Sequence, residues 1–255
     1  MRMHLKWIVA GLGTIMAFWS PVEATPFTFA PGAANPALGG GTFTADTMLY
    51  TNNVFAVLQS NTSFVAHRID PITGFSLNGN PVVPTNFGSA YGLYFDIIDT
   101  GFSTPSSLAF ASSTVIFKAD PGNQNGALTS TTSGISFANL GANGTADDIV
   151  LATATMLSGV AGLNPVTGVR TTHFQETFSP AAGEGGFFVS STGLLDFLNT
   201  TNPGQLINTP GPNGTIIQTI NGGSGAAQFV PEPASLILLC SAIGGLAMVH
   251  RRHTR

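Results

Sequence analysis

The chain has 255 residues, a formal net charge of -4, and 8% charged side chains against 43% hydrophobic ones. Between Thr25 and Val230 three bases, Arg68, Lys118 and Arg170, stand against ten acids, which excludes an electrostatic footprint for nucleic acid or anionic lipid. The single cysteine, Cys240, excludes an intrachain disulfide, so the fold must hold by core burial, for which about 200 residues suffice.

Met1 to Ala24 has the three parts of a secretory signal. Arg2, His4 and Lys6 make a basic start, and Trp7 to Trp19 is an uncharged apolar run. That run is short for a spanning helix, which needs about 20 residues. Val22-Glu23-Ala24 then places small residues at the two positions a signal peptidase reads, so cleavage is expected between Ala24 and Thr25.

Thr25 to Gly41, rich in Pro, Ala and Gly, is a lead-in with a candidate edge strand at Phe27-Thr28-Phe29. From Phe43 onward, short runs of β-branched and aromatic residues recur: Val54–Leu58, Ser63–Ile69, Ala90–Ile98, Thr114–Ala119, Ile149–Met156, Gly186–Ser190 and Thr215–Ile220. Turn signals punctuate them at Asp70-Pro71, Asn78-Gly79-Asn80-Pro81, Asp120-Pro121-Gly122, Asn143-Gly144, Asn164-Pro165 and Asn213-Gly214. Short strands at this spacing predict an all-β domain over residues 25–220, an antiparallel β-sandwich or jelly roll. Gly193 to Asn199 fits either a short helix or a strand. Residues 221–229 open on Asn-Gly-Gly-Ser-Gly-Ala-Ala, the composition of a flexible linker.

The last segment, 230–255, has its own logic. Val230-Pro231-Glu232-Pro233 precedes an uncharged apolar run, Ala234 to Val249, and a basic end with Arg251, Arg252 and Arg255. Two prolines keep the motif extended. The run is at the lower edge for a membrane span, and the terminal arginines favour the cytoplasmic side. Three elements in this order resemble the PEP-CTERM sorting domain. The resemblance implies a single transmembrane helix that holds the chain transiently at the inner membrane of a Gram-negative bacterium. It also implies recognition by an exosortase and cleavage near Pro231-Glu232-Pro233. The product would go to the cell surface or the extracellular matrix, among exopolysaccharide and neighbouring surface proteins.

Shorter motifs, Tyr91-Gly92-Leu93-Tyr94, Ala119-Asp120-Pro121-Gly122, Asp147–Ala152, Gly186–Val189 and Ile220–Ala226, are similar to flocculation-associated PEP-CTERM proteins. That likeness implies a role in holding cells together in a biofilm or floc.

Catalysis finds little support in the residues. His67 and His173 are the only histidines between the two ends, and no Gly-x-Ser-x-Gly elbow or His-Glu-x-x-His helix is present. Asp96 with Asp99, Asp147 with Asp148, Glu176 and Glu184 are the carboxylates a matrix hydrolase would draw on. Asp120-Pro121-Gly122-Asn123-Gln124-Asn125 has hard oxygen donors at Asp120, Asn123 and Asn125, with Asp147 or Asp148 as the candidate that completes the set, but it misses the spacing of a calcium loop. No cofactor and no enzymatic activity are expected. A carbohydrate-binding module would want exposed aromatic side chains, and Tyr50, Tyr91 and Tyr94 are the only tyrosines.

Overall fold

The computed structural model describes residues 24–58, 62–103, 107–123, 147–181, 187–190 and 194–230. The leader before Ala24, Asn125, Glu184, Pro231 to Pro233 and the arginine-rich end lie outside the described residues. Among the described residues no helix is long and apolar enough to cross a membrane.

Eight long strands carry the fold: β3 (Thr47–Leu58), β4 (Ser63–Leu77), β6 (Tyr91–Ser103), β7 (Ser107–Pro121), β8 (Ile149–Leu163), β9 (Arg170–Pro180), β11 (Leu194–Thr201) and β13 (Ile216–Val230). Each pairs antiparallel with the one before it, and β13 pairs back onto β3. The result is a closed up-and-down barrel. Short strands β5 (Asn80–Val82) and β12 (Leu206–Pro210) attach to β4 and β13.

The all-β, antiparallel expectation holds. The sandwich or jelly roll does not, because there is one main sheet and its edges meet each other. Period-two alternation buries one face of a strand in either architecture, so the pattern alone is blind to closure. On β6, Leu93, Phe95, Ile97 and Asp99 are buried, while Ile98 and Phe102 are exposed.

The lumen is layered. One end is plugged by a three-stranded sheet of β1 (Phe27–Phe29), β2 (Phe43–Ala45) and β10 (Phe188–Ser190), with the one-turn helix α1 (Pro31–Ala34) beside it. Phe27, Phe29, Leu38 and Phe187 are fully buried there. Their rings meet barrel rings edge-on, Phe27 with Phe229 at 5.1 Å and Phe29 with Phe75 at 5.6 Å. Burial of about 150–250 Å² per aromatic ring makes this plug a main source of stability. Above it, Phe95 stacks against Phe117 and Phe197, both at 4.9 Å, and against Tyr50 at 5.6 Å.

Two local expectations are corrected, and one left open is decided. Residues 221–229 are not a linker and the domain does not stop at 220, because they belong to β13. Gly222, at φ 76°, forms a bulge, and Gly225 lies under the Tyr50 ring, where an added Cβ would meet Cε2 at 2.2 Å. Glycine here serves close approach between backbone and ring, a use that composition cannot separate from flexibility. Asp70-Pro71 is not a turn but the middle of β4. No β3–β4 residue pair occurs between Tyr50↔Ile72 and Val54↔Arg68, so proline's missing donor is tolerated, and Asp70 Oδ1 accepts the Asn53 amide at 2.9 Å instead. Leu194 to Asn199 is strand, as part of β11.

Candidate functional site

Above the aromatic layer the lumen turns polar. Alternation on β4, β6, β7 and β9 brings Arg68, Asp99, Ser113 and Glu176 to the inner wall, all at most 4% exposed. Arg68 Nε lies 3.1 Å from Asp99 Oδ2, and its guanidinium sits over the Phe174 ring at 4.9 Å. Burial works against the Arg68 charge, but Asp99 and Asp70 outweigh it and hold the guanidinium ionised. Burial pushes the Glu176 carboxyl up to about 7, against the opposing pull of Ser113 and Arg68. Asp70 is likewise pushed up to about 7, and Asp99 is raised for the same reason. Ser113 stands close enough to favour both ionised carboxylates, yet its hydroxyl makes no hydrogen bond of good geometry to either.

Tyr50 donates to Asn199 Oδ1 at 2.6 Å and closes the layer from below. Above it a pocket of about 50 Å³ opens at the end away from the plug. Its polar wall includes Arg68, Asp99 and Asn52, and its apolar wall Val54, Phe64, Leu108 and Phe110. Phe110 bridges the rings of Phe64 and Phe174 at 5.4 and 4.5 Å.

The other candidates fall elsewhere. His67 is on the outer wall, its Nε2 2.7 Å from Asp96 Oδ1, while Lys118 Nζ reaches Asp96 Oδ2 at 2.7 Å. His173, on the same outer wall, sits 2.6 Å from Asp196. His173 faces out and Glu176 faces in, so the two do not meet on one face of β9. Of the carboxylates considered for hydrolysis, Asp99 and Glu176 converge in the lumen and Asp96 is on the opposite face.

Asp120, buried at the end of β7, meets Asp147 and Asp148 across the gap before β8, one oxygen of each within 4.8 Å of the others. The sequence expectation that Asp147 or Asp148 would complete the Asp120 site agrees with this geometry. Asn123 donates from Nδ2 to Gly88 O at 2.8 Å, and its Oδ1 stands against Gly92, which Asp120 Oδ2 also approaches. The Tyr94 hydroxyl donates to Asp148. Three carboxylates supply about half of the six to eight oxygens that calcium takes.

The Arg68–Asp99 pair escaped sequence reading because its members are far apart in the chain and look like isolated surface charges. An available signal was Arg68, a base held among apolar inward positions of β4 at Phe64, Ala66 and Ile72.

No family model, no curated protein and no solved structure matches this chain. The barrel geometry and the sequence motifs therefore carry the functional argument.

Proposed function

We propose that this chain is an exported cell-surface or matrix protein, sorted by its C-terminal segment and non-catalytic in its barrel. The supporting observation is the position of the barrel's last strand. β13 closes the sheet on both sides and ends at Val230, directly before Pro231-Glu232-Pro233. Cleavage near that motif would release a domain whose sheet is already closed. The exosortase would be the processing partner, the inner membrane a transient one, and exopolysaccharide or neighbouring surface proteins the final surroundings.

The described site geometry favours a non-catalytic reading over a hydrolase. Both described histidines sit on the outer wall against carboxylates. Glu176 is fully buried. The lumen pocket is about 50 Å³, well below the roughly 150 Å³ that encloses one benzene ring, so a sugar ring does not enter it. The carbohydrate-binding alternative loses support as well, since Tyr50, Tyr91 and Tyr94 are all buried and none offers a sugar a stacking face.

Mass spectrometry of the mature protein tests the route. The expected product begins at Thr25 and ends near Pro233. An intact Arg255 would overturn the sorting proposal. Deleting the gene and scoring aggregation tests the matrix role: flocs and matrix unchanged from wild type would count against it.

A further inference from the structure

The upper lumen combines a closed floor, an open mouth and polar groups that the protein does not satisfy. Arg68, Asp99 and Asn52 are each at most 4% exposed and line the same pocket. Among the described residues, Arg68 Nη2, Asp99 Oδ1 and Asn52 Oδ1 have no hydrogen-bond partner. Each such group left dry costs on the order of 1–3 kcal/mol, so a fold that keeps three of them in one place has them directed at something. A site of this kind, apolar walls with a few convergent polar groups, is the general form of a small-molecule pocket.

The chemistry of the three atoms restricts the occupant. One is a donor and two are acceptors, so the complementary head group offers an acceptor to Arg68 and donors to Asp99 and Asn52. A cationic head would meet the guanidinium, and an anionic head would meet Asp99. The enclosed volume of about 50 Å³ takes only a few heavy atoms. The rest of the ligand must lie between Val54, Leu108 and Phe110 toward the mouth, where hydrocarbon is favoured.

We propose that the upper lumen binds a small uncharged amphipathic molecule, a primary amide on a short hydrocarbon chain, head group inward against Arg68, Asp99 and Asn52. The pocket is independent of the route of export. Burial that holds Glu176 and Asp70 near 7 keeps the charge behind the Arg68–Asp99 pair low, which suits a neutral head.

The test is a calorimetric titration of the full chain in non-ionic detergent, with protein-free micelles as blank. Hexanamide, hexylamine and hexanoate share a tail and differ in head charge. Hexanamide is expected to bind at least about tenfold more tightly than either charged analogue, the factor that one well-made buried hydrogen bond supplies. Leu108→Trp narrows the mouth without touching the polar wall, and is expected to abolish hexanamide binding while circular dichroism retains the strand spectrum. Ile220→Trp, from β13 on the other side of the same pocket, serves if the first variant does not fold. Equal affinity for the three probes, no binding of hexanamide, or undiminished binding in a folded mouth variant would each overturn the proposal.

Discussion

Gly225 shows how much one missing methyl group decides. Its Cα faces the Tyr50 ring so closely that an alanine Cβ would stand 2.2 Å from Cε2 and 2.3 Å from Cζ. Tyr50 has little freedom to retreat, because its hydroxyl is tied to Asn199 and its ring packs on Phe95 and Phe197. Gly225→Ala is expected to cost roughly 2–4 kcal/mol in urea unfolding, while Gly162→Ala, with nothing within 4 Å of the new Cβ, stays within about 0.5 kcal/mol of wild type.

The buried acids give the stability an unusual pH slope. Glu176 and Asp70 keep their protons up to about 7 in the folded state, whereas in the unfolded chain they release them near 4. Between those values the native state holds protons that the unfolded state has lost, so stability falls as pH rises and reaches its low plateau above about 7. Asp96 runs the other way. Burial disfavours its charge, but His67 and Lys118 outweigh burial and lower its pKa, so its contribution is present above about 4 and lost below. Calorimetry should therefore show a higher melting temperature at pH 5.5 than at pH 8. The corresponding difference in stability is of the order of a few kcal/mol, and Glu176→Gln should flatten it. A melting temperature that climbs from pH 5.5 to pH 8 would contradict the burial of these groups.

At the scale of elements, β13 is the decisive strand. It pairs with β3 along nearly its whole length, and with β12 and β11 in succession on its other side. A chain stopped after Val230 is expected to give a cooperative unfolding transition, and one stopped after Ile220 is expected to lose it, as followed by circular dichroism through a thermal melt. The plug makes a separate contribution. Phe29 touches Phe43, Phe75, Phe117, Phe187 and Phe188, so Phe29→Ala should cost about 3–5 kcal/mol.

Legibility in the sequence followed local chemistry. Hairpin turns at Asn78-Gly79 and Asn213-Gly214 were readable because both pairs need positive φ, and they have it. Runs such as Ser63–Ile69 and Ile149–Met156 were readable from β-branched content. β9 was missed, because Arg170-Thr-Thr-His-Phe-Gln-Glu-Thr alternates threonines and charged residues that resemble a loop until the barrel supplies an interior for Phe174 and Glu176. The second half of β13 was misread, since its glycines answer to Tyr50 and Asn52, more than 170 residues away in the chain. Of the candidate site, the link from Asp120 to Asp147 and Asp148 was legible and the lumen triad was not. The first needs only that the ends of two neighbouring strands meet, whereas the second needs closure.

For the whole molecule, the outer wall matters as much as the lumen. A membrane barrel presents an unbroken apolar band of about 25 Å to lipid. Here the wall carries hydroxyl pairs, Thr100 with Ser112 and Thr155 with Thr177, each at 2.7 Å, and the charged cluster of His67, Asp96 and Lys118. Exposed Ile98, Leu157, Val160 and Leu198 are spaced among these polar groups. A wall of this composition is stable in water, and the chain from Thr25 to Val230 should stay monodisperse without detergent in sedimentation runs.

The seam between β3 and β13 also sets an order in time. Residue 47 must wait for residue 228 before its strand has a second neighbour. Contacts this distant in sequence make for slow folding, in milliseconds to seconds. Until then β3 and β11 are bare edges that can pair with any passing strand. Synthesis from the N-terminus leaves the protective strand for last, so the interval between the emergence of β11 and the docking of β13 is when a chaperone has most to do for this chain.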